Sequence, residues 1–219
     1  MPSGPPTKQE IRDVARRAVA IFENHRLSCC LFGSAACELY GRNRVPNDVD
    51  IIVMTNDYSP EELKNLLEEG SNQFYTRAAR SASATYRVLF YRLPGRRRSC
   101  KVDILTPGTN ELNIPFIRPR RIVWINELPV LPFLVLLLLK AQGWLDHTMS
   151  SRRDFNEKVD VDVRDVNELL GIGRSRGEDI NGQTWIPAWF LDHGLSVMQD
   201  YVDVNGGHHR WELLGFAPA

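Results

Sequence analysis

Behind Thr7 and Glu10, which read as a capping box, Ile11, Val14, Ala15, Ala18, Val19 and Phe22 recur at helical spacing. The pattern then changes to short unbroken apolar runs. "CCLF" (29–32) predicts a buried strand entering Gly33-Ser34, residues 34–40 a short helix ended by Gly41, and residues 48–53 a second strand. Ser59-Pro60-Glu61-Glu62 opens another helix, with Pro at its first position and Gly70 past its last turn. "TYRVLFYRL" and "CKVDIL", joined by "PGRRRS", predict a hairpin with an arginine-rich tip, and "RIVWI" (121–125) a further strand. The longest apolar run, Leu128 to Leu139, holds two prolines, is too short to cross a bilayer and reads as a buried helix. After Pro132 the pattern is helical, over about 133–142, 160–170 with Gly171 following, and 188–201. These elements predict an α+β chain: a mixed α/β region over 1–126, then a mostly helical region over 127–219.

Composition narrows this picture in two places. The 219 residues carry 27 basic and 27 acidic side chains, but residues 1–127 hold 19 basic against 14 acidic and the rest 8 against 13. The two regions therefore present different surfaces, and the zero total argues against a general nucleic-acid coat while leaving room for a local basic groove. Cys29 and Cys30 are adjacent in a predicted strand, Cys37 and Cys100 stand alone, and no Cys/His ligand spacing occurs. The expectation is a reduced, cytoplasmic protein without structural zinc. The N-terminal stretch "MPSGPPTKQE" lacks an apolar signal core, and no membrane partner is expected.

Charge interrupts the apolar pattern at telling positions. Asp48 and Asp50 alternate with Val49 and Ile51, so both carboxylates point to one face while the aliphatic side chains point into the core. Carboxylates held that close repel unless a cation lies between them, and a hard divalent cation suits the arrangement. Alone, such a pair also fits a capped loop running into an exposed strand end. Two neighbours alter the balance. Gly33-Ser34 joins a buried strand to a helix start, where free N–H groups attract anions. Asp103 interrupts "KVDIL" in the same way, offering a third carboxylate from another strand for a two-metal site.

Apolar-Gly-Ser, thirteen residues, Asp-apolar-Asp-apolar and a later strand Asp together resemble the nucleotidyltransferase superfamily typified by DNA polymerase beta, over Leu31 to Leu105. The resemblance implies a nucleotidyltransferase-fold mixed sheet with flanking helices. It implies a transferase moving NMP from an NTP to an acceptor hydroxyl with release of pyrophosphate. It also implies two Mg2+ ions, or Mn2+, held by Asp48, Asp50 and Asp103, with Asp103 aiding deprotonation of the acceptor and Gly33 and Ser34 binding the triphosphate. "LPFLVLLLLKAQGW" followed by "RRDFNEKVDVDVRDVNELL" is similar to the minimal and AbiEii-type toxin nucleotidyltransferases. By that likeness Lys140 contacts the triphosphate of ATP or another NTP, Asp162 faces the site, Asp165 with Leu169-Leu170 holds the helix, and the helical region closes the nucleotide cleft. The Val-Asp-Val before Asp162 leaves Asp160 as an alternative for its place.

The plain reading of Lys140 is a lysine reaching from a buried helix to water, and that of Asp160, Asp162 and Asp165 a solvated helix face. "LYGRNRVPNDVDI" with "RRDF" (152–155) also resembles CCA-adding and poly(A) polymerases, though the turn lacks their Arg-Asp. A non-catalytic nucleotide-binding regulatory module of the same fold is a further alternative. Arg96, Arg97, Arg98, Arg118, Arg120 and Arg121 offer a phosphate-tracking surface with Trp124 or Tyr91 for stacking, or simply solvated tips. His208-His209 reads as surface. The acceptor, whether RNA, protein or a small molecule, is not legible.

Overall fold

The computed structural model describes residues 4–79, 85–108 and 112–217, which form two compact units. The first comprises Met1–Leu39, Asn43–Pro107 and Phe116–Leu131. Its seven strands are β1 (Cys29–Phe32), β2 (Asp48–Val53), β3 (Phe74–Ala78), β4 (Arg87–Arg92), β5 (Ser99–Leu105), β6 (Val123–Ile125) and β7 (Leu128–Val130). They build one mixed sheet in the order β3-β4-β5-β2-β1-β7-β6. β2 runs parallel to β5 and β1 parallel to β7, whereas the other neighbours are antiparallel.

Helices α1 (Lys8–Asn24) and α3 (Pro60–Gly70) cover one face of this sheet, and α2 (Gly33–Leu39) follows β1 directly. Both long helices start with reciprocal capping boxes, Thr7 with Glu10 and Ser59 with Glu62, which satisfy N–H groups that would otherwise lack partners. The apolar stripe of α1 (Ile11, Val14, Ala15, Ala18 and Phe22) meets the inward side chains of the strands. Val49 and Ile51 of β2 and Val102 of β5 are fully buried there, while Asp48, Asp50, Lys101 and Asp103 alternate with them onto the opposite, half-open face.

The second unit comprises Tyr40–Arg42, Gly108–Pro115 and Pro132–Ala219. It contains α4 (Phe133–Met149), α5 (Arg153–Asn156), α6 (Val159–Arg176), α7 (Ala188–Asn205) and α8 (His208–Glu212). α4 is apolar nearly all round and packs against both α6 and α7, as expected of a central helix. Trp144, Tyr201, Trp211 and Phe216 continue that core through successive edge-to-face contacts.

Several elements differ from their sequence-based expectation. Leu128 to Leu139 is not one helix: Leu128–Val130 is β7, and α4 begins at Phe133. Pro129 and Pro132 push the residues before them out of helical backbone angles, which favours an extended entry. The strand expected over 121–125 is shortened to β6, because Pro119–Arg121 takes a 3-10 turn. α6 does not stop at Leu170 but runs through Gly171 and Gly173 to Arg176. Gly173 packs there against Phe133 and Leu214, where a Cβ would clash, so it serves close helix approach rather than termination. α4 and α7 likewise run seven and four residues past their expected ends.

All four cysteines are buried and free, as expected of reduced thiols. Burial, with Glu23 nearby, raises the Cys29 thiol to about 12. No helix among the described residues is long and apolar enough to cross a membrane.

Candidate active site

Parallel pairing of β2 with β5 brings the three strand aspartates together. Asp50 stands opposite Asp103, and Asp48 opposite Lys101, so an alternating pattern in two separate segments becomes one patch on one face. One carboxylate oxygen from each of Asp48, Asp50 and Asp103 lies within 4.8 Å of the others, and all three residues are half-exposed. Among the described residues this is the one such group of potential metal ligands.

The Gly-Ser turn abuts this patch. Gly33 has φ +59, and a Cβ there would overlap the Asp50 carboxylate, so the position tolerates only glycine without displacement. Ser34 Oγ donates to Asp48 Oδ1 at 3.3 Å. β1 places both residues: Phe32, its last residue, pairs with Asp50.

Lys101 is a member of the site that the sequence reading overlooked. Its Nζ lies 2.5 Å from Asp103 Oδ2. Burial works to lower its pKa, but Asp103, then Asp48 and Asp50, override that and hold the ammonium above its ordinary range. The same field reaches the Cys100 thiol, which burial first, then Asp48, Asp50, Glu10 and Asp103, push up to about 12. The signal was present in "KVDIL": a lysine two residues before a strand aspartate must share its face.

The patch suits a hard divalent cation. Its donors are all carboxylate oxygens, it carries three acids against one lysine, and the missing Cβ at Gly33 leaves the Asp50 oxygen unobstructed from that side.

Lys140 and Asp162 lie in the helical unit. Lys140 Nζ sits 3.2 Å from Asp162 and 3.0 Å from Asp165. Arg42 pairs with Asp165 and, at 3.1 Å, with Glu168, while His147 Nδ1 lies 2.5 Å from Asp162. Of the two aspartates left open by the sequence, Asp162 is the buried partner of Lys140, and Asp160 is exposed.

The basic residues divide. Arg98 is not at a solvated tip. It is buried, pairs with Glu10 at 2.7 Å and donates to the carbonyls of Gly4, Pro5 and Pro94. Arg96, Arg97, Arg118, Arg120 and Arg121 are exposed, as are His208 and His209. Tyr91 packs edge-on against Phe74 on the face away from the aspartates, and Trp124 stands on β6, at the opposite sheet edge from β3.

No protein-family profile and no curated protein matches the sequence. The fold is similar to the crystal structure of an antigenic nucleotidyltransferase-like protein from Paracoccidioides brasiliensis, with a TM-score of 0.67, 14% identity, and coverage of 98% of this chain and 96% of that chain. Weaker likenesses are to ANT(2″)-Ia in complex with adenylyl-2″-tobramycin and to terminal uridylyl transferase 4 from Trypanosoma brucei with bound GTP. Each has a TM-score of 0.39 and 14% identity; coverage is 75% of this chain and 97% of that for the first, 94% and 68% for the second. The chain thus has the α+β nucleotidyltransferase fold with a helical C-terminal region. At this identity the likeness defines the fold and leaves activity to the site residues.

Proposed function

We propose that this protein is a metal-dependent nucleotidyltransferase of the DNA polymerase beta superfamily, moving a nucleoside monophosphate from an NTP to an acceptor hydroxyl. The observation that carries this reading is the meeting of Asp48, Asp50 and Asp103 within 4.8 Å, beside Gly33-Ser34, on a sheet of that fold. The likeness of "LPFLVLLLLKAQGW" to minimal and AbiEii-type enzymes belongs to the same proposal, as does a triphosphate-neutralising role for Lys140 with Asp162.

In this mechanism Asp48, Asp50 and Asp103 would hold Mg2+ or Mn2+, which when bound offsets the charge of the triphosphate and of the displaced pyrophosphate. The acceptor oxygen forms a bond to the α-phosphorus, the bond from that phosphorus to the β-bridging oxygen breaks, and pyrophosphate leaves with the electron pair. Asp103 takes the hydroxyl proton. Gly33, lacking a Cβ, lets the backbone approach the phosphates, and Ser34 donates its hydroxyl to them in exchange for Asp48. Positioning and electrostatic stabilisation then carry most of the rate enhancement.

The test is incubation with each α-labelled NTP, Mg2+ or Mn2+, and separate RNA, protein and small-molecule acceptor fractions. Label in one fraction with matching pyrophosphate supports the reading. Equal labelling by the Asp48→Ala/Asp103→Ala double variant overturns it. A Mg-NTP thermal shift with no pyrophosphate from any fraction would point instead to a nucleotide-binding regulatory module.

A further inference from the structure

The face that carries the aspartates does not end at β5. Lys101 pairs with Phe90 on β4, and Phe90 with Tyr75 on β3, so one row across the sheet reads Asp48, Lys101, Phe90, Tyr75. Tyr75 and Phe90 stack with centroids 5.8 Å apart, and both rings are partly open to solvent. Arg77 lies over both rings, 5.0 Å and 5.4 Å from their centroids, and Arg92 lies 4.3 Å from Tyr75. Among the described residues, no carboxylate lies within ion-pair distance of Arg77, Arg87 or Arg92. A cavity of about 620 Å³ opens where these strands end, lined by Arg77, Phe90, Lys101 and Asp103 of this face and by Lys64 of α3 and Arg87, which alternates to the other face. Asp103 is its one acidic lining residue among those described, and Lys64 is already paired with Glu61.

We infer that this aromatic and basic face is the acceptor subsite, and that its occupant is the 3′ end of a single-stranded polynucleotide. The inference rests on the transferase reading above. Partly open aromatic rings on a sheet face, with guanidinium groups over them that can swing aside to phosphates, hold unstacked bases without needing a particular sequence. Strands spaced about 4.8 Å apart put Tyr75 about 10 Å from β5. A strand lying along the row thus has its terminal ribose near Asp103. There the 3′ oxygen attacks the α-phosphorus, its proton passes to Asp103, and pyrophosphate departs. Charge on the aromatic side disfavours the small polycationic class of acceptor, since Arg77 and Arg92 stand over the rings with no carboxylate at ion-pair distance among the described residues.

The experiment measures fluorescence anisotropy of a labelled, about 12-nucleotide single-stranded RNA, and of DNA of the same sequence, with EDTA and no NTP. The expected result is binding that weakens as salt rises from about 50 to 200 mM, with a log–log slope near −0.7 per phosphate contacted. Arg77→Glu with Arg92→Glu, both exposed and compatible with folding, should lower affinity about tenfold and flatten that slope. Phe90→Ala should cost about tenfold with the slope kept. RNA binding, with or without DNA binding, supports the inference. Absence of oligonucleotide binding, or binding indifferent to these variants, overturns it. The Mg-NTP thermal shift, run in parallel, separates the two levels. A shift without oligonucleotide binding sinks the acceptor subsite alone. Neither shift nor transfer sinks the transferase reading beneath it, and the acceptor role with it.

Discussion

Each unit holds a cluster of three carboxylates, and the two clusters are charged in different ways. In the sheet unit, Asp48, Asp50 and Asp103 share one lysine, stand half-open to solvent, and are left two charges short of neutrality. In the helical unit, Asp162, Asp165 and Glu168 meet Arg42, Lys140 and His147, and Asp165 is wholly buried. The pairs around Asp165 meet at ionic distance, but neither of its oxygens takes an aligned hydrogen bond, so charge rather than geometry holds that group. A cluster already met by Arg42 and Lys140 within its own unit stabilises helix packing through buried charge. One left short of cations, on an open face, is arranged to receive them. Counting the protein's own counter-ions therefore separates a ligand site from a structural network where counting acids alone does not.

The contrast is sharpest under mutation. Asp48→Ala should remove several kcal/mol of transition-state stabilisation, roughly a thousandfold or more in turnover, because the cluster acts as a unit. Its melting temperature should hold or rise, since one of three repelling charges is gone. Asp165→Asn should do the reverse. It removes the buried anion that Arg42 and Lys140 share, leaving them Glu168 and Asp162, and should cost about 1–3 kcal/mol. Urea melts and pyrophosphate release on both variants decide the matter. A large stability loss in Asp48→Ala, or none in Asp165→Asn, would erase the distinction.

How much of this was legible follows from what each pattern depends on. The aspartate triad could be read because strand alternation fixes a face from local sequence, and "DVDII" and "KVDIL" each show it. The capping boxes of α1 and α3 were local in the same way. β3 and its Tyr75 and Arg77 were not visible, because "FYTRA" has no clean alternation and becomes a strand through pairing with β4. The end of α6 is not legible because Gly171, which sits inside the helix with open space where its Cβ would be, looks in sequence like a glycine that ends one. Arg98 looked like a solvated tip because its partner, Glu10, lies 88 residues away.

Lys101→Met tests the open cluster from the other side. The ammonium neutralises part of the triad and competes with any cation that Asp103 would hold. Its side chain is 43% exposed, so solvent screens the pair and its worth is about 1 kcal/mol. Removing it should tighten Mn2+ or Mg2+ binding roughly fivefold in a fluorescence titration, and lower the melting temperature in EDTA by a few degrees. Weaker metal binding in Lys101→Met would mean that the lysine supports the site rather than competing for it.

The smallest effect concerns a carboxylate paired one to one. Arg98 holds Glu10 through two 2.7 Å contacts, and that hydrogen bonding, with the Thr7 backbone N–H, draws the Glu10 carboxyl from 4.5 down to about 2. A folded value below the unfolded one gives stability that is complete above about pH 4.5 and is lost as pH falls toward 2. The pair joins the start of α1 to the hairpin between β4 and β5, so its loss loosens the strand that carries Asp103 without removing any ligand. Urea midpoints taken at about pH 5 and about pH 2.5 should therefore fall further for the wild type than for Glu10→Gln, which has no proton to gain at that position. Equal falls in both proteins would show that acid acts elsewhere, with the unmatched triad in the sheet unit as the place to look next.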